Sequence, residues 1–382
     1  MDPITSRAKN IPPFIVMDVL EKAQEMERAG IDIIHLEIGE PDFDTPECIK
    51  EAGHRALREG KTHYTHSLGI IELREAVAED YYKRYKADVS PEHIIITSGT
   101  SPAMFMFFAS LLEAGDEVII SNPHYACYPN FVEFFHGQPV FINVYEDDGF
   151  QYRPSQIEQN LSSRTKAVFI NSPANPTGQL LEPDRMEKIA DISPLVISDE
   201  IYHGLVYGNK RERSILEFTD RAVVLNGFSK LYAMTGWRLG YIIAPPEFIR
   251  PMQKIQQNFF ISATSFSQWA GLNALKEAGP DIEKMRTTYD QRRSFLIEGL
   301  RDLGFEIKVE PFGAFYILVN ARHINEDSHA LAFDILEKAH VGVSPGIDFG
   351  RNAEGYLRFS YANSLDNLAE GLHRLKIYLS QC

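Results

Sequence analysis

Through the middle of the chain, apolar positions come in short continuous runs separated by longer stretches compatible with helix. Ile94-Ile95-Ile96-Thr97 ends at Ser98-Gly99, and a helical pattern follows from Pro102 to Glu113. Glu117-Val118-Ile119-Ile120, Val140–Val144, Ala167–Asn171, Leu195-Val196-Ile197-Ser198, Ala222–Asn226 and Gly240–Ala244 also read as strands. These runs are apolar on both faces instead of alternating, as expected where helices cover both sides of a mostly parallel sheet. Strand–helix alternation of this kind predicts an open, doubly wound α/β domain.

The two ends of the chain carry a different pattern. Val16–Arg28 is an amphipathic helix stopped by Gly30, and Pro280–Leu303 is a long charged helix with Gly304 near its end. Strands at Phe315–Val319, Val341–Ser344 and Leu357–Ser360 follow, with helices around Ser328–Ala339 and from Leu365. The expected organisation is an N-terminal segment, 1–50, packed on a smaller α+β domain, 285–382, beside a large domain, 51–284. A cleft between them is expected beyond the carboxyl ends of the parallel strands, where open α/β sheets bind ligands.

Composition narrows the possible partners. The chain has 382 residues with 44% hydrophobic and 24% charged, ordinary globular values. Lys and Arg total 38 against 53 Asp and Glu, a net charge of −15. Such a surface repels phosphate backbones and anionic membranes, so neither nucleic acid nor membrane is expected as a partner. No apolar run approaches the ~20 residues of a spanning helix, and the N-terminus lacks the layout of a signal peptide. The three cysteines, Cys48, Cys127 and Cys382, have neither metal-ligand nor redox spacing. A reducing, cytoplasmic setting without a bound metal is expected.

Several strand ends carry reactive or directional groups. Ser98-Gly99-Thr100-Ser101, between a strand and a helix, offers free backbone N–H groups and hydroxyls to an anion, though alone it is equally a capped turn. Asn171-Ser172-Pro173-Ala174-Asn175-Pro176-Thr177-Gly178 is a turn stiffened by prolines that can aim its Asn side chains into a cleft. Asp199, in Ser198-Asp199-Glu200-Ile201-Tyr202, can hold a ring nitrogen protonated; alone it is a helix cap. Lys230, in Asn226-Gly227-Phe228-Ser229-Lys230, sits among small and apolar neighbours that would lower its pKa and make it nucleophilic. Arg238, in Gly236-Trp237-Arg238-Leu239-Gly240, can grip a phosphate bidentately.

Together these motifs resemble the class I/II pyridoxal-phosphate-dependent aminotransferases of fold type I, in their prokaryotic aspartate-aminotransferase-like branch. The resemblance runs from Ile38-Gly39-Glu40-Pro41-Asp42-Phe43 to Leu357-Arg358-Phe359-Ser360-Tyr361-Ala362. Between them Asn-Pro-Thr-Gly, Ser-Asp-Glu-Ile-Tyr, and Ser-Lys followed after five residues by Gly-Trp-Arg occur in the family's order. The resemblance implies that Lys230 forms a Schiff base with pyridoxal 5'-phosphate and shuttles the substrate's α-proton. Asp199 would pair with the pyridinium nitrogen, and Asn175 and Tyr202 with the ring's phenolate oxygen. Tyr125 would stack on the ring. Gly99, Thr100, Ser101 and Arg238 would hold the phosphate. Arg358, with Asn175 and the Gly39 backbone, would bind the substrate carboxylate. Tyr64 resembles a tyrosine that reaches the neighbouring subunit's phosphate, which implies a homodimer with shared sites. One departure is visible: many relatives have Ser-x-Ser-Lys, and here Gly227 stands in the first serine's place, with Ser229 as a weak substitute.

A dicarboxylate donor needs a second cation for its side chain. Ile11–Met17 and Ser98–Phe108 contain no basic residue, and Lys254 and His124 are the nearest exceptions. A neutral, apolar or aromatic amino acid is therefore the expected donor, with a 2-oxo acid as acceptor; Phe14, Met17, Phe259 and Phe260 are candidate pocket residues, each taken singly reading rather as ordinary core packing. The alternative in the same fold is β-elimination at a carbon–sulfur bond. A non-catalytic regulator domain is disfavoured, because Lys230 and Arg358 are both present and Met1–Ile38 is too short for a helix-turn-helix module.

Overall fold

The apolar runs of the middle of the chain pair into one seven-stranded sheet. The computed structural model describes residues 3–381, so Cys382 lies outside the described residues. In chain order the strands are β1 (Ile34–His35), β2 (Ile94–Thr97), β3 (Glu117–Asn122), β4 (Gln138–Asn143), β5 (Thr165–Asn171), β6 (Val196–Asp199), β7 (Ala222–Gly227), β8 (Gly240–Ile243), β9 (Tyr316–Asn320), β10 (Val341–Gly342), β11 (Ser344–Pro345) and β12 (Tyr356–Ser360). The large sheet has the order β2-β8-β7-β6-β5-β3-β4. Strands β4, β3, β5, β6 and β7 run parallel, and β8 is antiparallel to both β7 and β2. Helices cover both faces, and every residue of β2, β6, β7 and β8 is buried. The carboxyl ends of β5, β6 and β7 therefore open side by side, at Asn171, Asp199 and Gly227.

Glycine sets how closely the sheet approaches the loop beyond it. Gly227 pairs with Gly240 across β7–β8. A Cβ on Gly227 would meet the Gly240 Cα at 2.9 Å, and one on Gly240 would meet the Gly99 carbonyl carbon at 2.8 Å. A serine at 227 has no room while β8 stays in this register, which accounts physically for the departure from Ser-x-Ser-Lys. The gain is a close approach of the Gly99 loop to the sheet.

The terminal regions build two smaller sheets. Strands β11, β12 and β9 form an antiparallel one, and β1 pairs in parallel with β10. The run expected as one strand over Val341–Ser344 is thus two short strands in different sheets, separated by Val343. Strand β1 was not expected, because two residues carry no periodicity. The helix Ile15–Arg28 buries Val16, Val19 and Ala23, and Val19 and Ala23 pack with Ile33 and Leu336. The long helix Gly279–Asp302 continues without interruption through position 284.

Candidate active site

A cavity of about 400 Å³ opens at the carboxyl ends of β5, β6 and β7. Its wall takes in Gly39, Thr100, Ser101, Tyr125, Asn175, Asp199, Tyr202, Ser229, Lys230, Arg238 and Arg358. The structure thus gathers onto one surface residues that lie more than three hundred positions apart. Tyr64 is not among them: it is 84% exposed and outside the cavity of its own chain.

At one end the helix Thr100–Leu111 begins at Gly99, whose φ of 99° no other residue type adopts readily. No side chain caps this helix. Thr100, Ser101 and Arg238 line the cavity beside this helix start, and a Cβ on Gly99 would meet Arg238 Nη2 at 2.7 Å. Arg238 is held in the left-handed region at φ 52° and donates through Nη1 to Thr235 O at 2.9 Å. An uncapped helix start beside an arginine is an anion cradle.

At the other end Asp199 is buried, and its carboxylate accepts from Tyr128 Oη at 2.8 Å and Ile201 N at 3.1 Å. Burial pushes its pKa up to about 6, against the pull of those two donors and of Lys230. A buried carboxylate with so little protein charge against it is suited to a cationic partner. Tyr128 was missed by sequence reading. Its position three residues after Tyr125, where a turn of helix would bring both to one face, was the available signal.

Between the two ends lies Lys230, just past β7. Its Nζ donates to Gly39 O at 2.5 Å. Burial lowers its pKa to about 8; Glu40 opposes the shift, Arg358 and Arg238 add to it, and Asp199 opposes it. A large fraction of the amine is therefore neutral at mildly alkaline pH.

Arg358, on β12, is 2% exposed. Its Nη1 donates to Asn175 Oδ1 at 2.8 Å, and its Nη2 to Glu37 O at 2.6 Å and Ser344 Oγ at 3.0 Å. The guanidinium lies 4.3 Å over the Tyr316 ring and 4.8 Å from the Phe349 ring. Its Nε is buried without a hydrogen-bond partner. An arginine held in place with a donor to spare is set to receive a carboxylate. Asn175 is itself fixed by Asn171, whose Oδ1 accepts from Asn175 N at 2.8 Å and whose Nδ2 donates to Asp199 O at 2.9 Å. Tyr316, also missed from sequence, shares a 2.8 Å hydrogen bond between its hydroxyl and that of Tyr202.

The wall has an apolar part, Phe14, Val16, Met17, Leu20, Ile38, Met104 and Ile201, and further polar groups at Glu40, Asn171 and Thr235. Phe259 and Phe260 are not part of it. Phe259 is 71% exposed, and Phe260 packs edge-on against Phe105 at 6.2 Å. Lys254 does not line the cavity either. His124 also lies outside it, stacked on Phe141 at 5.4 Å, and burial lowers its pKa to about 4.

The model of the aminotransferase class I and II family matches residues 31–375. The (5-formylfuran-3-yl)methyl phosphate transaminase of Methanocaldococcus jannaschii is 45% identical, over 99% of this chain and 100% of that protein. The aspartate/prephenate aminotransferase of Thermus thermophilus is 39% identical, over 97% of each chain. The solved structure of the Thermus thermophilus aspartate aminotransferase with maleate superposes with a TM-score of 0.94 at 39% identity, covering 99% of this chain and 100% of that one. A structure from Methanococcus jannaschii, described as similar in its active site to kynurenine aminotransferases, superposes at 0.91 with 44% identity, over 98% and 100%. By its sequence along nearly the whole length and by its architecture, the chain belongs to the class I and II aminotransferases.

Proposed function

We propose that the chain is a pyridoxal-phosphate-dependent aminotransferase that moves the α-amino group of a neutral, apolar or aromatic L-amino acid to a 2-oxo acid. The observation that carries the reading is the convergence of Lys230, buried Asp199 and Arg358 on one cavity. The donor set fits the cofactor: an anion cradle at Gly99–Ser101 and Arg238, a buried carboxylate opposite, an amine between them, and an aromatic ring at Tyr125. Bound there, the cofactor supplies an aldehyde for amine exchange and a protonated ring that withdraws electrons from the substrate's α-carbon.

The chain's residues supply the rest. Arg358 binds the substrate α-carboxylate and so fixes the α-carbon relative to Lys230. Lys230, neutral in part because it is buried, is the nucleophile toward the aldehyde and the base that moves the α-proton at Nζ. Asp199 keeps the ring nitrogen protonated by opposite charge, and Tyr128 keeps Asp199 ionised. Tyr202 and Asn175 stand ready to donate to the ring's phenolate oxygen. Tyr64, exposed on its own chain, is assigned to a partner's phosphate in a homodimer with shared sites. Among the described residues no helix is long and apolar enough to cross a membrane. We place the enzyme in the cytoplasm on its charge and its unpaired Cys48 and Cys127.

The donor class follows from the wall. Among the described residues of this chain, the wall's cations are Lys230, Arg238 and Arg358, and all three have tasks in this scheme. This chain's described residues leave no cation in the wall for a side-chain carboxylate, while the apolar part of the wall rewards each buried methylene by about fourfold in affinity. With single amino acids and no oxo acid, phenylalanine or leucine is expected to convert the cofactor's absorbance to that of its amine form faster than aspartate. Highest kcat/KM for aspartate would refute the donor class. Release of pyruvate and ammonia from cystathionine without an acceptor would revive carbon–sulfur cleavage, which the transaminase names of the relatives disfavour.

Tyr128→Phe tests the support of Asp199. With that hydroxyl removed, the carboxyl loses a donor and its pKa moves further up. The acidic limb of the kcat profile is expected to shift to higher pH, with kcat falling about tenfold at neutral pH. An unchanged profile would show that Tyr128 only fills space.

A further inference from the structure

The helix Ile15–Arg28 starts without a cap of its own, since Phe14 at the N-cap offers no side-chain acceptor. Its first two amides are met from near the other end of the chain. Ile15 N donates to Asp348 Oδ1 at 3.0 Å, and Val16 N to Asp348 Oδ2 at 3.1 Å. One carboxylate thus takes both amides at the positive end of the helix, where a negative charge is favoured.

Asp348 belongs to the short turn Gly346–Phe349, which reaches residues beside the cavity from two further directions. The Phe349 ring lies against the Arg358 guanidinium, and Phe349 O accepts from His124 N at 2.9 Å, one residue before Tyr125. Phe349 also packs with Val16 and Phe14. Phe14 in turn meets the Tyr125 ring edge-on at 5.9 Å. The helix's beginning supplies Phe14, Val16, Met17 and Leu20 to the apolar wall. So the segment that would face a donor's side chain is fastened to the same turn that backs the arginine assigned to its carboxylate.

We propose that Asp348 is a positioning residue that clamps the first turn of this helix as the cavity's apolar wall, and that discrimination among amino donors by side-chain size depends on the clamp. The second half of this statement rests on the donor reading above. The segment's amides, once released from Asp348, are free to bond water, and the wall loses its fixed distance from Arg358. A large apolar side chain gains its binding from that distance. The methyl group of alanine gains almost nothing from it.

The test compares wild-type, Asp348→Ala and Asp348→Asn holoenzymes in the half-reaction with phenylalanine and with alanine. The ratio of kcat/KM for phenylalanine over alanine is expected to fall about tenfold in Asp348→Ala, chiefly through KM. It should fall less in Asp348→Asn, which keeps one acceptor and guards against simple misfolding. Amide hydrogen exchange over residues 15–20 should quicken in the same order. An unchanged ratio in an enzyme that does use phenylalanine would overturn the link to donor size. Unchanged exchange over residues 15–20 would overturn the clamp itself. If the wild-type enzyme favours acidic donors, the donor reading fails, and exchange alone still decides whether Asp348 holds the segment.

Discussion

Replacing Lys230 with alanine is expected to lower kcat by about 10⁴-fold or more, because one side chain serves as both nucleophile and proton carrier. The amine that is lost is the only one lining the cavity among the described residues. Cofactor affinity should fall far less, since the Gly99–Ser101 cradle, Arg238 and Asp199 remain. Borohydride treatment distinguishes the two effects: the wild-type chain should retain the cofactor covalently on Lys230, and the variant should release it on denaturation. The free amine also predicts a pH dependence. With its pKa drawn down to about 8, chiefly by burial, the rate at which apoenzyme captures the cofactor should rise with pH up to about 8 and then level. A rate that keeps climbing toward pH 10 would place the amine in a more solvated setting than the structure gives it.

Asp199→Asn is expected to lower kcat by about 10³-fold, because a neutral amide cannot hold the ring nitrogen protonated. The same change should act in the opposite direction on the apoprotein's stability. Asp199 has a folded pKa of about 6, above the ordinary 3.8. Between those values the folded chain binds more protons than the unfolded one, so stability falls as pH rises through that window. Above pH 6 the full cost is present, on the order of 3 kcal/mol. Asparagine avoids this cost but gives up part of the bonding to Tyr128 and Ile201. The net expectation is an apoprotein melting about 1–4 °C higher at pH 7 in a variant that is nearly inactive. A lower apoprotein Tm would mean that the ionised carboxylate is better solvated by its neighbours than its burial implies.

The strands of the large sheet were legible because they are buried on both faces, and a continuous apolar run bounded by glycine or proline has few other readings. Ile94–Thr97 and the helix Ser328–Ala339 coincide with their expected bounds. The terminal regions were less legible. Val341–Ser344 is apolar throughout, and nothing in its pattern says that Val343 divides two sheets. The same asymmetry holds for the cavity. Lys230 and Asn175 come a few residues after β7 and β5 and Asp199 ends β6, so their placement follows from the rule that open sheets present groups at their carboxyl ends, while Arg238 stands just before β8. Tyr316 lines the cavity from outside that sheet, and Asp348 reaches it only through the Ile15–Val16 amides, by tertiary contacts that no local spacing records. Phe259 and Phe260 are the converse case: aromatic residues beside a plausible loop that do not line the cavity.

The pairing of β1 with β10 has a consequence for how the protein is made. Ile34–His35 leaves the ribosome early, and its partner Val341–Gly342 follows roughly three hundred residues later. At about 5–20 residues per second, synthesis keeps that edge unpaired for on the order of 15–60 s. During this time the apolar face of the helix Ile15–Arg28 also lacks Leu336, which lies in the late-made helix Ser328–Ala339. For roughly the last third of this interval, once β8 has been made, the nascent chain carries an open strand edge and a greasy helix beside a large sheet whose strands have all been synthesised. Those surfaces stay uncovered until the C-terminal strands and helices are made.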